Sequence, residues 1–225
     1  MRVVLASGSP RRRDLLAREG VPFEVCVADV DESLDDDLAQ RPHDAARELA
    51  GRKARAVCRR LMGQGEPAGA CPRERILVIG SDTMVVLGSR IYGKPEDDDE
   101  AVEMILSLAG KTHEVVTGVA VCRVRPDGPE GALIEEDSFV EVSYVTFRNL
   151  TREEALEYVA CGESADKAGA YAIQGRAAQF IESIEGSFSN VVGLPLYAVC
   201  RLAGKAGVNL YDNHGSRSTD GGATA

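Results

Sequence analysis

After a short apolar run the chain reads ASGSPRRRDLL, in which Ser7 and Ser9 flank a glycine and Arg11, Arg12 and Arg13 follow a proline. A strand that ends in such a turn and leads straight into a helix presents free backbone N–H groups and a positive dipole end to one point. Arginines in the first helical turn meet a dipole end of like sign, so their placement calls for a compensating anion. Phosphate suits them, because a planar guanidinium bonds two of its oxygens at once. The alternative is an exposed basic turn paired with an acidic surface. The pattern is neither G-x-x-x-x-G-K-[ST] nor G-x-G-x-x-G, so alone it names no nucleotide fold. A second chemical position lies in ILVIGSDTMVV, residues 76–86, where Ser81, Asp82 and Thr83 interrupt an apolar run. Open α/β sheets bind ligands at the carboxyl ends of strands, which suits Asp82. The alternative is a turn aspartate bonding its own backbone.

Short apolar runs alternate with longer amphipathic ones, which predicts an α/β fold with a buried sheet and covering helices. Residues 2–6 and 23–27 read as strands, and Ser9 is placed to cap a helix with Pro10 at its first position. From Pro42 to Met62, Ala46, Leu49, Ala50, Ala54, Val57 and Leu61 keep helical spacing. Residues 63–75 read as a glycine- and proline-rich loop. Beyond the strand at 76–86, residues 96–110 read as a helix, 114–124 and 133–147 as strands, and 151–160 and 189–204 as helices. The acidic run Glu96–Glu100 falls where a helix begins and is read as dipole-stabilised surface. Asp29, Asp31 and Asp35–Asp37 are read as solvated loop charges. His113 is read as structural. Residues 1–211 are expected to form one unit, with a disordered tail at 212–225.

With 225 residues and a net charge of −10, the chain is large enough for one substantial core and too acidic for a nucleic-acid surface as its main function. Six scattered cysteines without a C-x-x-C pair and no apolar leader predict a reduced, cytoplasmic protein. No apolar segment is long enough to span a bilayer, and no histidine has a neighbour at zinc-ligand spacing.

VIGSDTMVV, YGKPEDDDEA, LAGKTHEVVTGVAV, YVACGESADKAGAYAIQG and GSFSNVVGLPL follow LASGSPRRRDLL in this order. Together, over roughly residues 3–203, they closely resemble the Maf family of nucleoside triphosphate pyrophosphatases. The resemblance implies an elongated mixed sheet with flanking helices and a cleft between two lobes, as in inosine triphosphate pyrophosphatases. It also implies hydrolysis of a nucleoside triphosphate to the monophosphate and pyrophosphate with a divalent cation (Mg2+, Mn2+ or Co2+), and a homodimer. By the same resemblance Asp82 is the catalytic base, and Glu32 assists with metal or water. Ser7, Arg11, Arg12, Lys53 and Lys94 contact the phosphates, while Arg13 is an outer surface charge. The family often has Glu before the helical lysine, where this chain has Arg52. DKAGAY, residues 166–171, shapes the cleft wall, with Asp166 and Lys167 free to pair.

Three positions separate branches of the family. The branch acting on 7-methylguanosine triphosphate typically reads S-P-W-R-R, G-S-D-Q and S-E-G where this chain has Arg11, Thr83 and Gln174. A glutamine amide both donates and accepts, matching the O4 and N3–H of uracil or thymine. The expected substrates are therefore dTTP and UTP, with modified pyrimidine nucleotides in reserve. A different class of function, a non-catalytic nucleotide-binding regulator of cell division, fits the family's older name, septum formation protein. The base and lysines favour the enzyme.

Overall fold

A computed structural model describes residues 1–63, 75–126 and 132–210. Its strands are β1 (Arg2–Leu5), β2 (Glu24–Val25), β3 (Ile76–Leu87), β4 (Arg90–Tyr92), β5 (Thr112–Pro126), β6 (Ala132–Phe147) and β7 (Ile181–Glu185). They form one mixed, seven-stranded sheet in the order β2-β1-β3-β5-β6-β7, with β4 also on β3. β1 runs parallel to β2 and β3, while β3, β5, β6 and β7 are successively antiparallel.

β3 decides where a site can form. One of its edges pairs continuously with β5 from Ile76 to Val86. The other pairs with β1 only over Ile76–Ile79 and with β4 only over Val85–Leu87. Between them, residues 80–84 have no strand neighbour on that side, and backbone groups left out of a ladder need other partners. Asp82 lies in the middle of this break.

Alternation along β3 sends successive side chains to opposite faces. Val78 packs with α3 (Pro42–Gly63) in one core, and Met84 and Val86 pack with the same helix in another. Gly80 and Asp82 share that face. A Cβ at Gly80 would meet the Ala50 carbonyl oxygen at 2.3 Å, and one at Gly118, opposite Asp82 on β5, would meet that of Ala46 at 2.1 Å. The helix thus rests backbone on backbone against the sheet, with Ala46, Ala50 and Ala54 at the contact.

Leu77 and Ile79 face the other side, where α1 (Pro10–Arg18) and α7 (Leu196–Lys205) complete a core with Leu16, Val199 and Leu202. Further along that face, Val85 joins α4 (Asp98–Leu108), α5 (Arg152–Val159), Phe147, Tyr171 and Phe180.

Several elements differ from the sequence reading. The second strand is two residues long: its partner β1 ends at Leu5, opposite Val25, and the partly buried Phe23 packs against the core before the ladder begins. Asp35 is no loop charge: its side chain accepts the Leu38 N–H and caps α2 (Asp36–Ala39). Ser9 sits at the N-cap of α1 without a side-chain capping bond, and its N–H donates instead to Ser7 Oγ at 3.2 Å. The single helix expected over 189–204 is two, α6 (Phe188–Val192) and α7, separated at Gly193-Leu194-Pro195. Gly193 is left-handed, φ 116°, and proline disfavours helix in the residue before it. The acidic run at 96–100 starts α4, with Asp97 accepting the Glu100 N–H. The tail 212–225 and most of the 63–75 loop lie outside the described residues.

Gly118→Ala should destabilise the fold by about 1–3 kcal/mol through overpacking against α3. A lower urea midpoint with an unchanged m-value checks this.

Candidate active site

A cleft of about 590 Å³ opens at the break in the sheet. Ser7, Arg11, Arg12, Glu32, Lys53, Asp82, Thr83 and Lys94 all line it. Gln174 does not: it is exposed, and the cleft wall ends at the preceding Ile173. The reading of Gln174 as an amide held against the base finds no support in this arrangement.

The centre of the cleft is a three-member charge cluster. Because α3 lies directly on Gly80 and Gly118, Lys53 projects alongside Asp82, and its Nζ donates to Asp82 Oδ1 at 2.6 Å. Their side chains are 11% and 12% exposed, whereas Glu32, whose Oε1 lies 2.8 Å from the same Nζ, is 56% exposed. Burial would raise the Glu32 pKa, but the hydrogen bond and charge of Lys53, with the charges of Lys94 and Arg12, hold it below the usual carboxylate range. One buried ammonium therefore gathers two carboxylates.

Arg11 reaches the cleft wall and lies 3.5 Å from Asp166, which also pairs with Lys167. Arg13 is an exposed charge beside Asp14. Lys94 follows β4, and Gly93 just before it accepts the Gly169 N–H at 3.0 Å, tying the Lys94 loop to the 166–171 wall. The uncapped N-terminus of α1 also opens here. Ser7 Oγ accepts from Ser9 N–H and Arg12 Nη1, which leaves its own O–H to donate.

Arg12 occupies a different environment. Its Nε donates to Gly193 O at 2.7 Å, Nη1 to Ser81 O at 2.9 Å and Ser7 Oγ at 3.3 Å, and Nη2 to Thr83 Oγ1 at 3.0 Å. Burial pushes its pKa down, opposed by the charge of Asp82 and reinforced by Arg11. Thr83 Oγ1 also meets Thr117 Oγ1 at 3.1 Å, and the Gly193 carbonyl accepts from Ser81 Oγ at 3.0 Å.

Sequence reasoning missed several contributors. Arg52 donates from Nε to Glu48 and from Nη1 to the carbonyls of Ser33 at 2.9 Å and Asp31 at 3.3 Å, gripping the loop that carries Glu32. Its only sequence signal was its departure from the family pattern. Asn190 is buried and anchors α6 by donating to Val115 O and Ser143 Oγ, both at 2.9 Å. The GLP break beside it was readable as a helix stop. His113 is structural as expected, with its Nε2 2.9 Å from the hydroxyl of Tyr171, a cleft-wall residue.

Fold and site together define an α/β protein whose interrupted sheet presents basic side chains and paired carboxylates to one polyanion-sized cleft. The chain belongs to the family described as Maf-like protein, whose model matches residues 2–206. A relative in Moorella thermoacetica, named dTTP/UTP pyrophosphatase, is 44% identical over 93% of this chain and 97% of its own. Relatives of the same name in Alkalilimnicola ehrlichii and Lachnoclostridium phytofermentans are 45% and 39% identical, over 89% and 92% of this chain and 90% and 96% of theirs. Among the described residues no helix is long and apolar enough to cross a membrane.

Burial pushes the His113 imidazole down to about 4. Between its ordinary pKa, near 6.5, and that value the unfolded chain binds more protons, so stability falls as pH falls through this window. The loss reaches about 2 kcal/mol by pH 5. His113→Phe removes this component, so urea midpoints at pH 7 and pH 5 should differ less in the variant than in the wild type.

Proposed function

We propose that the chain hydrolyses dTTP and UTP to the monophosphate and pyrophosphate. The observation that carries this reading is the contact of Lys53 with both Asp82 and Glu32 inside a cleft that also takes in Arg11, Lys94 and an open helix N-terminus. The names of the three relatives support the same reaction and substrates.

A triphosphate enters with its charge toward Arg11, Lys94, the Ser7 hydroxyl and the free N–H groups of α1. Asp82 takes a proton from the water that attacks the α-phosphorus, the P–O bond to the β-phosphate breaks, and pyrophosphate leaves. Lys53 holds the Asp82 carboxylate by its hydrogen bond and offsets charge that builds on the phosphoryl oxygens. A bound nucleotide of net negative charge also repays the burial of basic groups lining the cleft.

The donor chemistry fits a divalent cation. Asp82 Oδ1 and Glu32 Oε1 are taken by the Lys53 ammonium, and the second oxygen of each carboxylate is a hard donor of the kind magnesium-type ions use, one or two per ion with the remaining ligands from water and phosphate. When bound, Mg2+, Mn2+ or Co2+ would neutralise triphosphate oxygens.

Asp82→Asn keeps shape but removes charge and basicity, and should abolish turnover while leaving the circular-dichroism spectrum close to wild type and lowering the melting temperature, since the buried Lys53 ammonium loses its counter-charge. Arg11→Ala and Lys94→Ala should each lower kcat/KM about 10- to 150-fold, equivalent to about 1.5–3 kcal/mol, if a charge-assisted hydrogen bond to phosphate is lost. Pyrophosphate release measured side by side for dTTP, UTP, CTP and 7-methyl-GTP tests the substrate class. The expected order places dTTP and UTP first. Tight binding without turnover would instead favour a nucleotide-binding regulator.

A further inference from the structure

The two cleft carboxylates are each carried by a short segment that an arginine holds from both sides. Asp82 lies in the stretch of β3 without a strand neighbour, and Arg12 bonds the residues before and after it, through the Ser81 carbonyl and the Thr83 hydroxyl. The same guanidinium ties in the Gly193 carbonyl from the turn between α6 and α7. Glu32 lies in a loop, and Arg52 bonds the carbonyls before and after it, those of Asp31 and Ser33. Arg52 is itself steadied by Glu48 one turn earlier on α3. Since Lys53 is the next residue on that helix, one helical segment sets both the ammonium and the loop that brings Glu32 to it.

The geometry points to Arg12 and Arg52 as a pair of positioning residues that fix Asp82 and Glu32 relative to Lys53, and it removes Arg12 from the set that holds the triphosphate. Four of the five N–H groups of Arg12 already donate to neutral acceptors within the fold, which leaves no pair for a two-oxygen phosphate contact. Arg52 bonds outside the cleft lining altogether. Neither role can pass to lysine. An ammonium carries the charge but cannot span acceptors that lie on three separate segments, as those of Arg12 do, or bridge Glu48 to a loop as Arg52 does. Small displacements of a base or charge partner are costly to chemistry and nearly invisible to binding. This inference rests on the proposed hydrolysis for its kinetic arm only.

The test compares Arg12→Lys, Arg52→Lys and wild type in kcat and KM for dTTP, in Kd for α,β-imido-dUTP, and in melting temperature. The expected result is a kcat about 100-fold lower for Arg12→Lys and about 10-fold lower for Arg52→Lys, with Kd for the analogue within about twofold of wild type. If Arg12→Lys does not fold, Thr83→Val, which deletes one acceptor of Arg12, carries the same expectation of lost kcat and retained Kd. An independent arm follows the Arg12 and Arg52 Nε–H resonances of 15N-labelled protein during titration with inorganic pyrophosphate. Both should stay in place while that of Arg11 moves. A loss that falls on Kd, an Arg12 resonance that moves with pyrophosphate, or unchanged kcat with only a lowered melting temperature would each overturn the assignment. Wild-type protein that turns over no nucleotide would overturn the proposed function, and the resonance arm would still decide the role of Arg12.

Discussion

The contact between Lys53 and Asp82 depends on α3 lying against the sheet with no side chain between them. Ordinary helix-on-sheet packing keeps the two backbones apart by a layer of side chains, and at that separation a lysine on the helix would bury its length in the core. Here Gly80 and Gly118 on the sheet face alanines on the helix. The close approach puts the Lys53 ammonium beside a carboxylate that the strand would otherwise bury alone. A buried carboxylate without a cation is strongly disfavoured, and a buried ammonium likewise. Packing and chemistry are therefore one constraint: the small residues that permit the approach also bring Asp82 its counter-charge inside the protein.

The break in pairing along β3 has a comparable double effect. It opens the sheet where the cleft forms, and it leaves backbone groups that must be satisfied by something other than a strand. Arg12 supplies a donor to one of them, Ser81 O, and in doing so links the first loop, β3 and the Gly193 turn. The reach of a guanidinium suits this linkage, because its donors diverge in a fixed plane. The acidic balance of the whole chain conceals a cleft in which Arg11, Lys53, Lys94 and Lys167 are concentrated. Field lines from charges in a low-dielectric cleft are focused outward, so an anionic ligand meets the local sign and not the net one.

Hydrophobic period and punctuation already made the main elements legible: the strand at 76–86, the helix from Pro42, the paired long strands and the acidic start of α4. Those patterns are local, and burial on one face or both writes them directly into the order of residues. The positions of Ser7, Arg11, Lys53, Asp82, Thr83 and Lys94 in one cleft were legible only through family motifs, because no periodicity marks a lysine on an amphipathic helix as buried rather than solvated. Gln174 shows the limit of that route. Its place in a motif was clear, but its exposure depends on where the chain turns after Ile173.

What the sequence by itself determined was the α/β class, the order of its longer elements and the residue types able to meet a polyanion. Only the tertiary structure decided which arginine pairs with the cleft wall and which is tied into the fold. Arg11 and Arg12 are adjacent and chemically identical, yet a helix turns about 100° per residue, so one points toward Asp166 and the other into the gap beside β3. Tertiary structure likewise decided that Arg52 grips the Glu32 loop, since its partners Asp31 and Ser33 lie about 20 residues earlier and are backbone carbonyls, which every residue type carries. A contact to a backbone group leaves no trace in the identity of its partner, and so it becomes visible only when the fold brings the two segments together.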